Sequence, residues 1–270
     1  MIRKFFAFRY PLGRRSYFSL SAASFLLLLL LWSVLSYGRI VDPFFVPAPT
    51  TVMKTLVRLL LHENLLADVW ASVFRVLVAF GLSAVLAIPL GILMSAFRPF
   101  EAMAEPPIDF VRYLPVPALV PLTILWVGIG EGSKILLLFI GTFFQLVLLV
   151  MDDANNVPQQ YFETAYTLGA DTKDVIARVL LLATLPNVYD DLRVTLGWCW
   201  TYLLIAEIVA ARTGIGHLIQ EAQRFAKPEV VMAGVLVIGL IGLVSDYCFK
   251  LGSKLLFPYK YPASPWANNS

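Results

Sequence analysis

The fold class this sequence predicts is an all-α polytopic membrane protein with about six transmembrane helices, and three observations carry it. The chain is 59% hydrophobic and only 14% charged, with a mean hydropathy of +0.76. Soluble globular chains are roughly 45–50% apolar and about 25% charged. Apolar runs of the length an α-helix needs to cross the hydrocarbon core, about 20 residues, recur along the 270 residues. Lys and Arg are also shared unevenly among the segments joining those runs. A soluble chain of this size would bury a large core but still need a polar skin that this composition does not supply.

The elements follow in order. Residues 1–17 form a basic segment with Arg3, Lys4, Arg9, Arg14 and Arg15. The run 18–37, FSLSAASFLLLLLLWSVLSY, opens like a signal peptide, but it is long and no small-residue cleavage site follows, so it reads as a retained anchor. Segment 43–66 holds Pro47 and Pro49, then the amphipathic TVMKTLVRLLLHENL. A helix started at Thr50 or Thr51 places Val52, Leu56, Leu59 and Leu60 toward one side, as in a helix lying in the membrane interface. The core, 67–256, opens with a second span at about 69–97. The third, 114–129, contains Pro115, Pro117 and Pro121, a broken span whose freed backbone groups only neighbouring helices can satisfy. Spans at 134–151, 192–210 and 230–256 complete the set, and 257–270 is a terminal tail.

Six spans put both termini on one side of the membrane. With the N-terminus inside, thirteen of the 21 Lys and Arg residues fall on the inner side (Arg3, Lys4, Arg9, Arg14, Arg15, Arg98, Arg112, Lys173, Arg178, Arg193, Lys250, Lys254 and Lys260). Seven fall outside (Arg39, Lys54, Arg58, Lys134, Arg212, Arg224 and Lys227), and Arg75 is left within a span. Positive residues stay cytoplasmic, so both termini are expected inside, and the polar stretch YFETAYTLGADTKDVIAR, 161–178, becomes a cytoplasmic loop.

That loop carries two helix signals. Asn156, Val157 and Pro158 read as a helix start, with proline where its missing N–H costs nothing. Gly169 stands where a helix would stop, because glycine takes the left-handed conformation without strain. Asp171 then caps a second helix, and Asp174 three residues on completes a variant capping box. Two short helices are therefore expected to meet at Gly169, with Ala165, Leu168, Val175, Ile176 and Val179 as an apolar stripe among Glu163, Asp171, Lys173 and Arg178. Such an elbow is either a lid on its own bundle or a docking knob for a partner.

These residues resemble the inner-membrane permease subunits of binding-protein-dependent ABC importers, whose cytoplasmic loop, here about 156–186, carries an EAA motif. Glu163, Thr164, Ala165, three residues and Gly169, then Leu185 and Pro186, match it; Thr164 replaces the middle alanine and Leu182 the first proline. The resemblance is nearest the nitrate, sulfonate, taurine and bicarbonate branch. Its pattern is matched by Pro47-Ala48-Pro49, by Ser72 with Arg75, by PVPALVPLTILWVGIGEGSKILL at 115–137, and by Leu192, Arg193, Gly197, Trp200, Ala206, Glu207, Gly214 and Gly216. It covers about 43–256.

The resemblance implies a type I ABC importer permease fold with cytoplasmic coupling helices, in the cell inner membrane. It implies an ATPase subunit that binds ATP and Mg and presses on Glu163, Thr164, Ala165, Leu168, Gly169, Ala170, Asp171, Val175 and Ile176. It further implies a second permease chain in a homodimer, and a periplasmic or lipid-anchored solute-binding protein docking near the amphipathic segment. No cofactor is expected on this chain, and nucleic acid is not a partner. GIGEGSK at 128–134 has the wrong order for a phosphate loop, so ATP hydrolysis is assigned elsewhere.

Polar groups inside spans are candidates for the solute pathway. Arg75 costs several kcal/mol at membrane depth unless paired or facing water. Its guanidinium suits an anion such as nitrate, bicarbonate or a sulfonate, while snorkelling or a salt bridge with Glu207 or Asp68 would equally account for it. Glu207 is read as a packing or subunit-pairing residue, and Trp126, Gln145 and Trp200 as candidate pathway residues. Cys199 and Cys248 lie in apolar runs with no ligand spacing around them, and His62 and His217 are isolated, so no metal site is read. Two other functions are carried. The acidic pairs Asp152–Asp153 and Asp190–Asp191 suggest a magnesium-dependent membrane prenyltransferase, although neither has the further spaced aspartate such sites use. A stand-alone secondary transporter is the other, weakened because six spans show no internal repeat.

Overall fold

The computed structural model describes residues 13–210 and 212–260, apart from the side chains at 14, 209 and 210. Most of the expected basic N-terminal segment and the end of the tail, 261–270, lie outside the described residues. The described chain is helical: α1 Arg14–Tyr37, α2 Pro49–His62, α3 Leu65–Ala96, α4 Arg98–Arg112, α5 Val116–Val127, α6 Glu131–Asn155, α7 Gln159–Thr167, α8 Leu181–Ala210, α9 Ile215–Arg224 and α10 Pro228–Leu256. A 3₁₀ turn, Pro258–Lys260, follows. The chain divides into two compact units, one running up to Glu63 and including Ala222–Ala233, the other comprising Asn64–Glu221 and the chain from Gly234 onward.

Among the described residues, α1, α3, α6 and α10 are long and apolar enough to cross a membrane, with a fifth crossing if α4 and α5, bent by 103°, count as one broken span. The expected span 192–210 lies within α8, which is 30 residues long and also carries Asp190 and Asp191. The third span departs from its expected form. α5 has only 12 residues, about 18 Å at 1.5 Å per residue, well short of a hydrocarbon core about 30 Å thick. Its break is set by Pro115, which pushes Leu114 away from helical backbone. The preceding segment, counted from sequence only as an inner connection holding Arg98 and Arg112, is the helix α4, with proline in its first turn and Pro106 and Pro107 inside it.

In the first unit, α1 and α2 are pinned together at the C-terminal end of α1. The Trp32 indole donates to the Pro47 carbonyl at 2.9 Å, and the Tyr37 hydroxyl lies 2.7 Å from Thr50 Oγ1. α2 starts at the expected place, with Val52, Thr55 and Leu59 buried and Leu60 exposed.

In the second unit, α6 is the central helix, packed on α3, α5 and α8. A cluster of Ala87, Met94, Leu146, Val150, Met151 and Leu180 fills the end where α6 finishes and α8 begins. Another, with Val76, Leu138, Cys199, Trp200 and Leu203, fills the opposite half. At Gly91, an added Cβ would lie 2.7 Å from the Val147 carbonyl, so α3 and α6 approach closely there. Where the two helices cross mid-unit, the Ser83 and Thr142 hydroxyls meet at 2.9 Å and satisfy each other away from water.

Candidate functional site

Two constellations lie at opposite ends of α6 and α8. The first is the elbow. α7 begins after Pro158 and ends in a Schellman arrangement: Gly169 N–H donates to the Tyr166 carbonyl and Ala170 N–H to that of Ala165, both at 3.0 Å. Gly169 holds φ +87°, which explains its presence. Asp171 caps the next segment by accepting the Asp174 N–H at 2.8 Å. The second helix is not short. Thr172–Asp174 runs through a π-helical turn, Val175–Leu180, directly into α8, so Leu182 and Pro186 sit inside one continuous helix.

The elbow has two faces. Phe162, Val175 and Ile176 root it in the second unit: Val175 is buried, and Phe162 and Ile176 pack against the cluster that contains Leu180 and Met151. Tyr161, Glu163, Thr164, Gly169 and Asp171 are exposed, and Leu168 is 83% exposed; Ala165 and Ala170 are half-buried. The expected single apolar stripe is therefore divided, because the turn at Gly169 aims Leu168 away from the side on which Val175 packs.

The second constellation is a buried ionic network. Asp68, Ser72 and Arg75 stand at i, i+4 and i+7, on one face of α3. Arg75, 1% exposed, donates to Glu131 through Nε at 2.5 Å and Nη2 at 2.8 Å. Nη1 donates to Glu207 Oε1 at 2.5 Å and to the Thr213 carbonyl at 2.8 Å, and Nη2 also reaches Thr213 Oγ1 at 3.1 Å. All five guanidinium N–H donors are thereby used, and none is left for a solute in this conformation. Of the three accounts of Arg75 weighed from sequence, the geometry is that of the salt bridge with Glu207.

Glu207 is fully buried and accepts from Ser72 Oγ and from the Gly216 N–H, each at 2.7 Å. Ser72 in turn accepts the Ile215 N–H at 3.0 Å, and Asp68 the Gly214 N–H at 2.7 Å. Gly214 adopts φ +120°, and a Cβ there would lie 2.5 Å from both Arg75 and Glu207, so only glycine fits. Glu131 opens α6, where the helix dipole favours an acid, and is 52% exposed; Lys134, one turn on, reaches it at 2.7 Å. Two cations thus face two carboxylates, and three helices and the turn before α9 are tied together. Removing one partner of such a buried pair leaves an uncompensated charge.

The network gathers four motifs that lie far apart in sequence: Ser72/Arg75, GIGEGSK, Ala206/Glu207 and the Gly-x-Gly at 214–216. Sequence reading missed Glu131 and Thr213. Glu131's one signal was an acid in the first turn of a helix, three residues before a lysine. The other candidates are not brought together with it as a lining. Trp200 is 5% exposed in the apolar cluster, Trp126 is exposed on α5, and Gln145 is half-buried on α6. At the elbow end of α6 and α8, Lys260 reaches Asp190 at 2.7 Å.

The chain is 31% identical to the taurine transport system permease protein TauC of Escherichia coli over 256 residues, 93% of this chain and 92% of that protein. It is 30% identical to the putative aliphatic sulfonates transport permease protein SsuC of Bacillus subtilis, covering 85% of this chain and 83% of the relative. The fold matches the inward-facing MetNI methionine ABC transporter with a TM-score of 0.59 at 20% identity, over 69% of this chain and 95% of that one. Residues 87–258 match the family model of binding-protein-dependent transport system inner membrane components. These matches show that the chain belongs to that family, the multi-pass inner-membrane permease subunits of ABC importers.

Proposed function

We propose that this permease pairs with a second copy of itself to form the path by which a small sulfonate enters the cell. A separate subunit hydrolyses ATP, and a solute-binding protein supplies the cargo from outside. The observation that carries the coupling is the elbow. Exposed Glu163 and Leu168 stand across a glycine hinge from Val175, which is buried at the root of one unbroken helix. A push on the exposed side is delivered to α8 as a rigid displacement. In this reading the elbow faces the cytoplasm with both termini, which the excess of inner Lys and Arg supports, and the Arg75 network lies at the outer end. The substrate class is supported by the taurine and aliphatic-sulfonate names of the relatives.

Within the spans, we assign solute contact to Trp126 and Gln145, whose side chains are exposed and half-buried. Arg75, Glu207 and Trp200 act from behind the path by fixing the helices that frame it. The test is ATP-dependent taurine uptake in vesicles holding the permease, its ATPase and its binding protein. Gly169→Val should cut uptake at least tenfold while ATP hydrolysis continues, and Glu163→Lys should release the ATPase during purification. Wild-type uptake by both variants refutes the coupling role, and uptake by this chain alone, driven by an ion gradient, refutes the importer reading.

A further inference from the structure

The first unit contains a cavity of about 350 Å³ where α1 ends and α2 begins, lined by Ser36, Tyr37, Arg39, Pro47, Thr51 and Glu229 among others. That volume lies at the lower end of small-molecule sites, which run from about 300 to 1,000 Å³. Its charges are unusual. Arg39 and Glu229 border the same cavity, yet among the described residues neither side chain enters an ion pair or hydrogen bond, with the other or with anything else. Arg39 is held at φ +52°, a left-handed conformation that a long side chain adopts only under constraint. Ser36, 4% exposed, has a hydroxyl with no hydrogen-bond partner. The first turn of α2, which contributes Thr51, adds the positive end of a helix dipole.

We propose that this cavity binds a zwitterion with a tetrahedral oxyanion at one end and an ammonium at the other. The oxyanion lies against the Arg39 guanidinium and the start of α2, and the ammonium against the Glu229 carboxylate. A guanidinium suits an oxyanion because its planar fork donates two parallel N–H bonds. Opposite charges facing one cavity without pairing are complementary to such a ligand, whereas a simple anion would leave Glu229 uncompensated. Two sources share this chemistry: a free amino sulfonate, and the headgroup of phosphatidylethanolamine. The cavity lies at the end of α1, whose run Phe25–Leu31 is exposed and apolar, which makes a lipid headgroup accessible to it. The amino-sulfonate source rests on the sulfonate reading above; the lipid source does not.

The experiment uses the full-length permease in nanodiscs of phosphatidylcholine alone, and of phosphatidylcholine with phosphatidylethanolamine. Taurine and ethanesulfonate binding is measured by calorimetry, and retained lipid by native mass spectrometry. Saturable taurine binding in phosphatidylcholine, at least tenfold tighter than ethanesulfonate, identifies the free solute. Selective retention of phosphatidylethanolamine identifies the headgroup. In either case Arg39→Gln should abolish binding, Arg39→Lys should weaken it less, and Glu229→Gln should remove the preference for the amine, all with the thermal midpoint unchanged. The inference is overturned if neither ligand binds selectively, or if the variants bind as wild type. Intact taurine uptake by the full assembly with no binding here sinks this inference alone, while binding without ATP-dependent uptake sinks the transport reading instead.

Discussion

Replacing Glu207 by alanine removes the acceptor for three hydrogen bonds, from Ser72, Arg75 and the Gly216 N–H, and leaves the Arg75 guanidinium with only the half-exposed Glu131 as its counter-charge. Breaking a buried pair in this way costs about 3–5 kcal/mol. Each kcal/mol shifts the midpoint of a protein of about this size by roughly 2–4 °C, so Glu207→Ala should lower the thermal unfolding midpoint in nanodiscs by about 6–20 °C. Arg75→Met should cost a similar amount, because it leaves the fully buried Glu207 uncompensated. The double variant Arg75→Met/Glu207→Leu removes both charges and keeps most of the volume, and exchanges of that kind are often neutral. A double-mutant cycle should therefore show a coupling of at least ~2 kcal/mol. Two findings would refute the reasoning: single variants within ~1 kcal/mol of wild type, or simple additivity, either of which would mean that water already screens the pair.

Gly214→Ala should destabilise by about 1–3 kcal/mol, since φ +120° and a Cβ 2.5 Å from Arg75 and Glu207 both oppose it. Gly81→Ala, in a helix with open space around it, should be neutral or stabilising by up to about 1 kcal/mol on the same assay. Asp171→Ala removes the cap on the second arm of the elbow, at about 1 kcal/mol. Hydrogen exchange at 172–175 should accelerate about fivefold, and Asp171→Asn should restore it.

Composition and run length made the helical membrane fold legible, and the second, fourth and sixth spans lie within long helices near their expected limits. The elbow was legible because its determinants are local: a proline, a glycine and an aspartate, each within four residues of what it controls. α4 was not, because Pro106 and Pro107 oppose a helix interior and the cluster that receives its Ile108 is built from α3, α6 and α8. The second arm of the elbow is short on its local cap signals, Asp171 and Asp174, whereas packing of Val175 and Leu180 carries the helix onward. Arg75 was flagged by its depth. Its partner Glu131 lies 56 residues away, and pairing at that separation leaves no trace in local periodicity.

The π-helical turn at Val175–Leu180 has a consequence for how force travels. A π turn amounts to one surplus residue in an α ladder, and one residue of α-helix corresponds to about 100° of rotation. Closing that bulge by shifting a few hydrogen bonds would twist everything on its N-terminal side about the helix axis, with no broken chain and no bending. The joint between elbow and α8 is thus a swivel as well as a strut, and the exposed side chains of α7 can turn by a discrete step while α8 holds its register.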